Sequence, residues 1–225
     1  MLSKNIFYNK IRLHKLKTSA DIIIKNPFKR LIDIFLSLLV FIFIFTWLFP
    51  IISILIKLTS RGPIFYLQQR VGLNSKVFTC FKFRTMYASQ DTRNYMPTTS
   101  DDPRVTNVGI FLRKLNLDEF PQFVNVFIGE MSIVGPRPHS VEFQEEYAKF
   151  LPSIYKRQYV KPGITGLAQV KGYRGDDLDN EINRVRMMRR VANDIIYIKN
   201  WSIFLDLKII IKTGLQMFAL GTNGY

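Results

Sequence analysis

The chain predicts a helix-rich α+β fold in which a small globular domain follows an N-terminal membrane helix. Three observations carry this reading. Residues 34–56 contain no charged side chain. Residues 64–67 and 77–84 are short β-like runs, the second with the two-residue period of a half-buried strand. Residues 108–120, 180–199 and 201–219 read as helices, the last with the mixed apolar and charged pattern of an interfacial amphipathic helix.

Composition narrows the partners. In 225 residues the net charge is +15, which favours anionic partners: nucleic acid, phospholipid headgroups or phosphorylated metabolites. A hydrophobic fraction of 48% with 19 Phe sets membrane contact against nucleic acid, and no nucleic-acid motif accompanies the charge. The lone Cys80 excludes an internal disulfide. With only His14 and His139 as imidazoles, any metal is expected on oxygen ligands.

Residues 1–29 carry seven Lys and Arg against one acid, Asp21, and read as a basic tail beside a membrane, without a sustained apolar period. The run that follows would extend about 35 Å as a helix, enough to cross a bilayer core. Two features point instead to a re-entrant helix over 30–57. Pro50 removes a backbone donor and clashes one turn back, so a break is expected there, with Thr46 available to bond a freed carbonyl. Basic residues also flank the run on both sides, Lys25, Lys29 and Arg30 before it and Lys57, Arg61 and Arg70 after, as for a segment that enters and leaves on one face. A straight span and a buried core helix are the alternatives.

In the second strand Lys82 and Arg84 share a face with Cys80, opposite Phe81 and Phe83. This is either a wet basic face or a phosphate site. Residues 86–107 form a long polar loop, read as a lid that brings Arg104 to an anionic ligand. Next comes a helix ending near Arg113, then Asp118-Glu119 before Pro121, which disfavours helical geometry at Phe120 and starts a new helix. One carboxylate of such a pair can attack phosphorus while the other binds a hard cation or handles a proton. An isolated Asp-Glu pair is ordinarily surface salt-bridge material. Here Lys82, Arg84, Arg113 and Arg137 supply counter-charge for a diphosphate, and Pro136 and Pro138 fix the backbone on either side of Arg137.

Four stretches occur in one order: Asp101-Asp102-Pro103-Arg104, Leu117-Asp118-Glu119-Phe120-Pro121-Gln122, Gly135-Pro136-Arg137-Pro138 and Lys161-Pro162-Gly163-Ile164-Thr165-Gly166. Together they resemble the bacterial sugar transferase family, monotopic polyprenyl-phosphate sugar-1-phosphate transferases, from about residue 28 to 213. The resemblance implies a cytoplasmic-face catalytic domain over 58–225, at the bacterial inner membrane. It implies that Asp118 attacks the β-phosphate of a UDP-sugar, releasing UMP, and that undecaprenyl phosphate then takes up the sugar-phosphate, beginning an exopolysaccharide, capsule or O-antigen repeat. Glu119 is then the partner of Asp118, Mg²⁺ the cofactor on these two carboxylates, Arg113 and Arg137 phosphate ligands, and Lys82 and Asp194 further active-site residues. Family members often bend the re-entrant helix at Ser-Pro where this chain has Phe49-Pro50. The chain resembles the short form of the family, without preceding transmembrane helices, and His139 leans toward glucose or galactose. The competing class is a non-catalytic, membrane-anchored basic module that binds anionic lipid or nucleic acid.

Overall fold

Two β-like runs pair as an antiparallel hairpin, β1 (Phe65–Val71) against β2 (Val77–Phe83), with Phe65 opposite Phe83 and Val71 opposite Val77. The computed structural model describes residues 2–87, 102–173 and 180–218, with backbone only for 2–12, 180 and 218. The stretch 88–101, with Asp101 and most of the expected lid, therefore lies outside the described residues, as do Arg174, Gly175 and Ala219.

A second, parallel pair joins β3 (Ser132–Val134) to β4 (Gly163–Thr165). Gly163 is required there: a Cβ on it would lie 2.1 Å from the Gly135 nitrogen. That close approach draws the Gly135-Pro136-Arg137-Pro138 run out of β3 on a fixed path.

Around these strands pack α4 (Asn107–Lys114), α5 (Gln122–Ile128), α6 (Val141–Ala148), α7 (Leu167–Val170) and α8 (Asn180–Lys199). A 3₁₀ segment, Pro152–Tyr159, adds Ile154 to a smaller core with Phe143, Tyr147, Met187 and Val191. The main core gathers Phe78, Cys80, Val126, Met131, Val134, Tyr197 and Ile198.

Residues 2–25, expected as a basic tail, form helix α1 (Leu2–Lys25). Leu16, Ala20 and Ile23 sit in the main core, at the i, i+4, i+7 spacing of one helical face. The Lys residues around them hid that face from composition-based reading.

Helix α2 (Pro27–Val40) starts at an Asn26 cap, whose side chain accepts from the Lys29 N–H, with Pro27 in the first turn. It continues through a π turn, Phe41–Phe45, into α3 (Thr46–Thr59). The whole helix, Pro27–Thr59, has mean hydropathy 2.8 over its most apolar window and is mostly exposed, with Phe28, Phe35, Phe43 and Leu58 among its exposed side chains.

The expected break at Pro50 is corrected: helical structure runs through Pro50, and the departure from α geometry lies upstream in the π turn. Widened turns leave carbonyls to be satisfied. Thr46 Oγ1 donates to the Ile42 carbonyl at 2.8 Å and Trp47 Nε1 to that of Phe43 at 2.7 Å, so the Thr46 expectation holds.

Both ends of this helix dock on the same domain. Arg30 donates to the Val126 and Phe127 carbonyls, Phe49 packs against Phe65 and Phe83 at 5.7 Å, and Ile52 and Ile56 share a core with Phe83 and Leu112. Helix α9 (Ile203–Phe218) turns Asp206 and Ile209 inward while Phe204, Leu207, Ile211 and Leu215 form an exposed apolar stripe beside Lys208 and Lys212. That is the amphipathic pattern expected of this segment.

Candidate active site

Helix α4 ends at Lys114, and Asn116 takes a left-handed conformation (φ 55) that turns the chain. Asn is among the few residues that enter this region readily. A single 3₁₀ turn, Leu117–Glu119, then precedes Pro121 and α5. The two carboxylates thus lie at a helix junction, as the sequence indicates. Phe120 stays helical (φ −57, ψ −36) despite the proline after it, contrary to expectation.

Glu119 is buried, and its oxygens are taken by cations from two other elements. Lys82 Nζ donates to Oε1 at 2.9 Å; Arg137 donates to Oε1 and, at 3.0 Å, to Oε2. The fork from Arg137 is the bidentate geometry that only a guanidinium offers. Burial works against the Arg137 charge, but Glu119 and then Asp118 outweigh it, so Arg137 is held more firmly protonated than a free arginine. Burial pulls Lys82 below the ordinary lysine range, with Glu119 opposing. Asp118, half-buried next to Glu119, acts on both cations.

Strand β2 and helix α5 are stitched together by Asn125, which is fully buried. Its Oδ1 accepts from the Phe81 N–H at 3.1 Å and its Nδ2 donates to the Thr79 carbonyl at 2.7 Å and to Glu130. In effect Asn125 pairs as an extra strand residue and sets the distance between Lys82 and Glu119.

A missed residue is Arg70. It donates to Gln68 Oε1 and to the Pro138 carbonyl, next to Arg137, and its charge is felt at both Lys82 and His139. Only its place in a strand facing β2, visible once the hairpin forms, could have flagged it.

Other candidate residues fall elsewhere. Arg113 Nε donates to Thr85 Oγ1 at 2.9 Å, one residue beyond Arg84. Arg84 is buried and donates through Nη2 to the Ser60 carbonyl and hydroxyl at the end of α3. Arg104 forms a fork with Asp102. That pair fixes the turn leading into α4, and the Asp102 carboxylate is lowered chiefly by it.

Asp194 is buried and accepts from Arg157 Nε at 2.7 Å. Arg157 in turn donates to the Arg137 carbonyl at 2.8 Å and lies 2.7 Å from His139 Nε2. Asp194 therefore supports Arg137 at one remove. Burial, then the cations Arg157, Arg190, Arg70 and Arg137, hold the His139 pKa well below its ordinary value. Of the arginines on α8, Arg190 is buried and donates to the Tyr173 carbonyl, so it does not belong to a solvated basic face.

Among the described residues no cluster of three or more metal-ligating side chains exists. Glu119 is a poor cation ligand as it stands, because both of its oxygens already accept from cations. A Mg²⁺ here would be held through one carboxylate together with substrate phosphates, the usual way this ion is bound.

The fold and site define a protein with one long, exposed apolar helix and a buried carboxylate–cation centre suited to phosphate chemistry. The chain belongs to the bacterial sugar transferase family, whose model matches residues 24–220. It is similar to the UDP-glucose:undecaprenyl-phosphate glucose-1-phosphate transferases of Klebsiella pneumoniae, 45% identical over 195 residues covering 87% of this chain and 41% of that one, and of Escherichia coli K12, 43% identical, covering 85% and 40%. It thus spans about two fifths of these relatives. It is also 38% identical to the exopolysaccharide production protein PSS of Rhizobium leguminosarum, over 89% of this chain and 98% of that protein.

Proposed function

We propose that this chain transfers a hexose-1-phosphate from a UDP-sugar to undecaprenyl phosphate at the cytoplasmic face of the inner membrane. The observation that carries the reading is the Glu119 clamp, in which Lys82 and Arg137 converge beside Asp118. Lys82, Arg70 and Arg137 outnumber the two carboxylates around them, so the site has charge to spare for a diphosphate.

An Asp118 Oδ attacks the β-phosphorus. The bond from that phosphorus to the bridging oxygen breaks, and UMP leaves with the electron pair. The phosphate oxygen of the acceptor then attacks the same phosphorus, the Asp118–phosphorus bond breaks, and the carboxylate is regenerated. Lys82 and Arg137 position Glu119 and offset the negative charge that would otherwise repel the nucleophile. A Mg²⁺ on Asp118 and the donor phosphates would neutralise charge on the leaving group.

Supporting the membrane placement, both ends of Pro27–Thr59 dock on one domain, through Arg30 and through Ser60. This suits a helix that enters and leaves by the same face. The relatives whose names specify glucose, and an Aeromonas hydrophila relative named for N-acetylgalactosamine at 40% identity, support a hexose donor and favour glucose as the first to try.

The test is UMP release from a panel of UDP-sugars with and without undecaprenyl phosphate, together with intact mass of the protein after donor alone. Wild type is expected to gain one phosphosugar and release UMP. Asp118→Asn is expected to do neither, and retention of full UMP release by that variant would defeat the covalent route. Release of UDP would point to a direct glycosyl transfer instead.

A further inference from the structure

Helix α5 ends on Gly129 in the left-handed region (φ 93), and two cations converge there. Arg30 Nη2 and Lys161 Nζ each lie 3.5 Å from the point where a side chain would begin on Gly129. Their charged ends are therefore separated by no more than twice that distance. Arg30 spends its two terminal nitrogens on the last carbonyls of α5. Lys161 has no ion pair or hydrogen bond among the described residues. Burial, then Arg30, lower the Lys161 pKa, and Asp33 is the one carboxylate acting the other way. Two like charges this close need a counter-ion once water is withdrawn.

The surroundings are apolar and open. Phe28 and Leu31 on α2 and Phe127 and Ile128 on α5 are all exposed, so this corner belongs to the surface the long helix presents to a bilayer. At the edge of the hydrocarbon, the anion in supply is lipid phosphate. Gly129 has no side chain to obstruct it. α5 runs from beside Glu119 to this corner, about 10 Å for its seven residues, so the two sites are separate.

We propose that Lys161 and Arg30 bind the phosphate of an anionic phospholipid over Gly129, fixing the depth of the domain at the membrane. This rests on the membrane placement proposed above, though not on the transfer chemistry. Arg30 also caps α5, so the variant to use is Lys161→Gln, with Lys161→Arg as the charge-conserving control.

The full chain in nanodiscs of phosphatidylglycerol and phosphatidylcholine is released for native mass spectrometry. Wild type is expected to retain one phosphatidylglycerol per chain. Lys161→Gln is expected to lower that retention about fivefold, the factor equivalent to the roughly 1 kcal/mol a cation contributes near a charged membrane, and Lys161→Arg to restore it. Equal retention by Lys161→Gln would overturn the site. So would displacement of the lipid by inorganic phosphate, which would make it a free-phosphate site, or by equimolar undecaprenyl phosphate, which would assign it to the acceptor. UMP release from donor alone is measured in parallel. Its absence in wild type would count against the transferase reading and leave the lipid result standing.

Discussion

Glu119 holds the charge balance of the site. With its side-chain salt bridges almost wholly out of solvent, removing it leaves Lys82 and Arg137 buried without their shared partner. Glu119→Ala is therefore expected to destabilise the protein by about 3–5 kcal/mol, read as a lowered denaturant midpoint, and to cut UMP release at least about 100-fold through loss of positioning. His139 gives a second prediction at this scale. Its folded pKa lies well below the ordinary 6.5, so below about pH 6.5 the unfolded chain binds a proton there that the folded chain does not. Stability is expected to fall as pH drops from 6.5 to 5.5, by up to about 1.4 kcal/mol per pH unit from this group. His139→Gln, which can still accept from Arg157, should flatten that part of a melting-temperature profile. An unchanged slope would mean that other groups set it.

At the scale of elements, Gly109 couples stability to site geometry. A Cβ there would lie 2.0 Å from the Thr85 carbonyl oxygen, and the Thr85 hydroxyl accepts from Arg113. Gly109→Ala must push α4 away from β2. It is expected to cost about 1–3 kcal/mol and to raise the KM for the UDP-sugar if Arg113 binds its phosphates, measured as UMP release against donor concentration.

The sequence made some elements plain for the same physical reasons that make them stable. Short β-like runs marked the two strands, though not their pairing, and the uncharged run marked the long helix. Helix α8 was legible from its spacing, but β3 and β4, of three residues each, are too short to show a period. The face of α1 was masked by interspersed lysines. Asp118, Glu119, Lys82 and Arg137 were legible through motif wording and charge. Arg70 and Arg157 were not, because each works through backbone carbonyls brought near only by the tertiary fold. The same limit hid how Asp194 connects to Arg137, through an arginine 37 residues away in the chain.

On the scale of the whole molecule, the long helix and α9 are joined by a buried ion pair. Lys29 Nζ lies 2.6 Å from Asp206 Oδ2, and Asp206 also accepts from Tyr197 and Trp201. Lys29 further donates to the Val134 carbonyl, at the end of the strand that leads to Arg137. A cation placed by composition in a basic tail thus sits at the centre of the fold, linking the two most apolar exposed surfaces to the site. If this pair holds those surfaces in one unit, Lys29→Met alone should cost about 3–5 kcal/mol, since it strands a buried carboxylate. Adding Asp206→Asn, which removes the charge, keeps one oxygen to accept from Trp201 and can donate its amide to the Tyr197 hydroxyl, should return at least half of that loss. The cycle is completed with Asp206→Asn alone, and the coupling read from denaturant midpoints in detergent. Additive effects would show that Lys29 and Asp206 act independently. In that case the orientation of the long helix would rest on its apolar contacts with Phe65, Phe83 and Leu112 and on the hydrogen bonds of Arg30 and Asp33 to the domain.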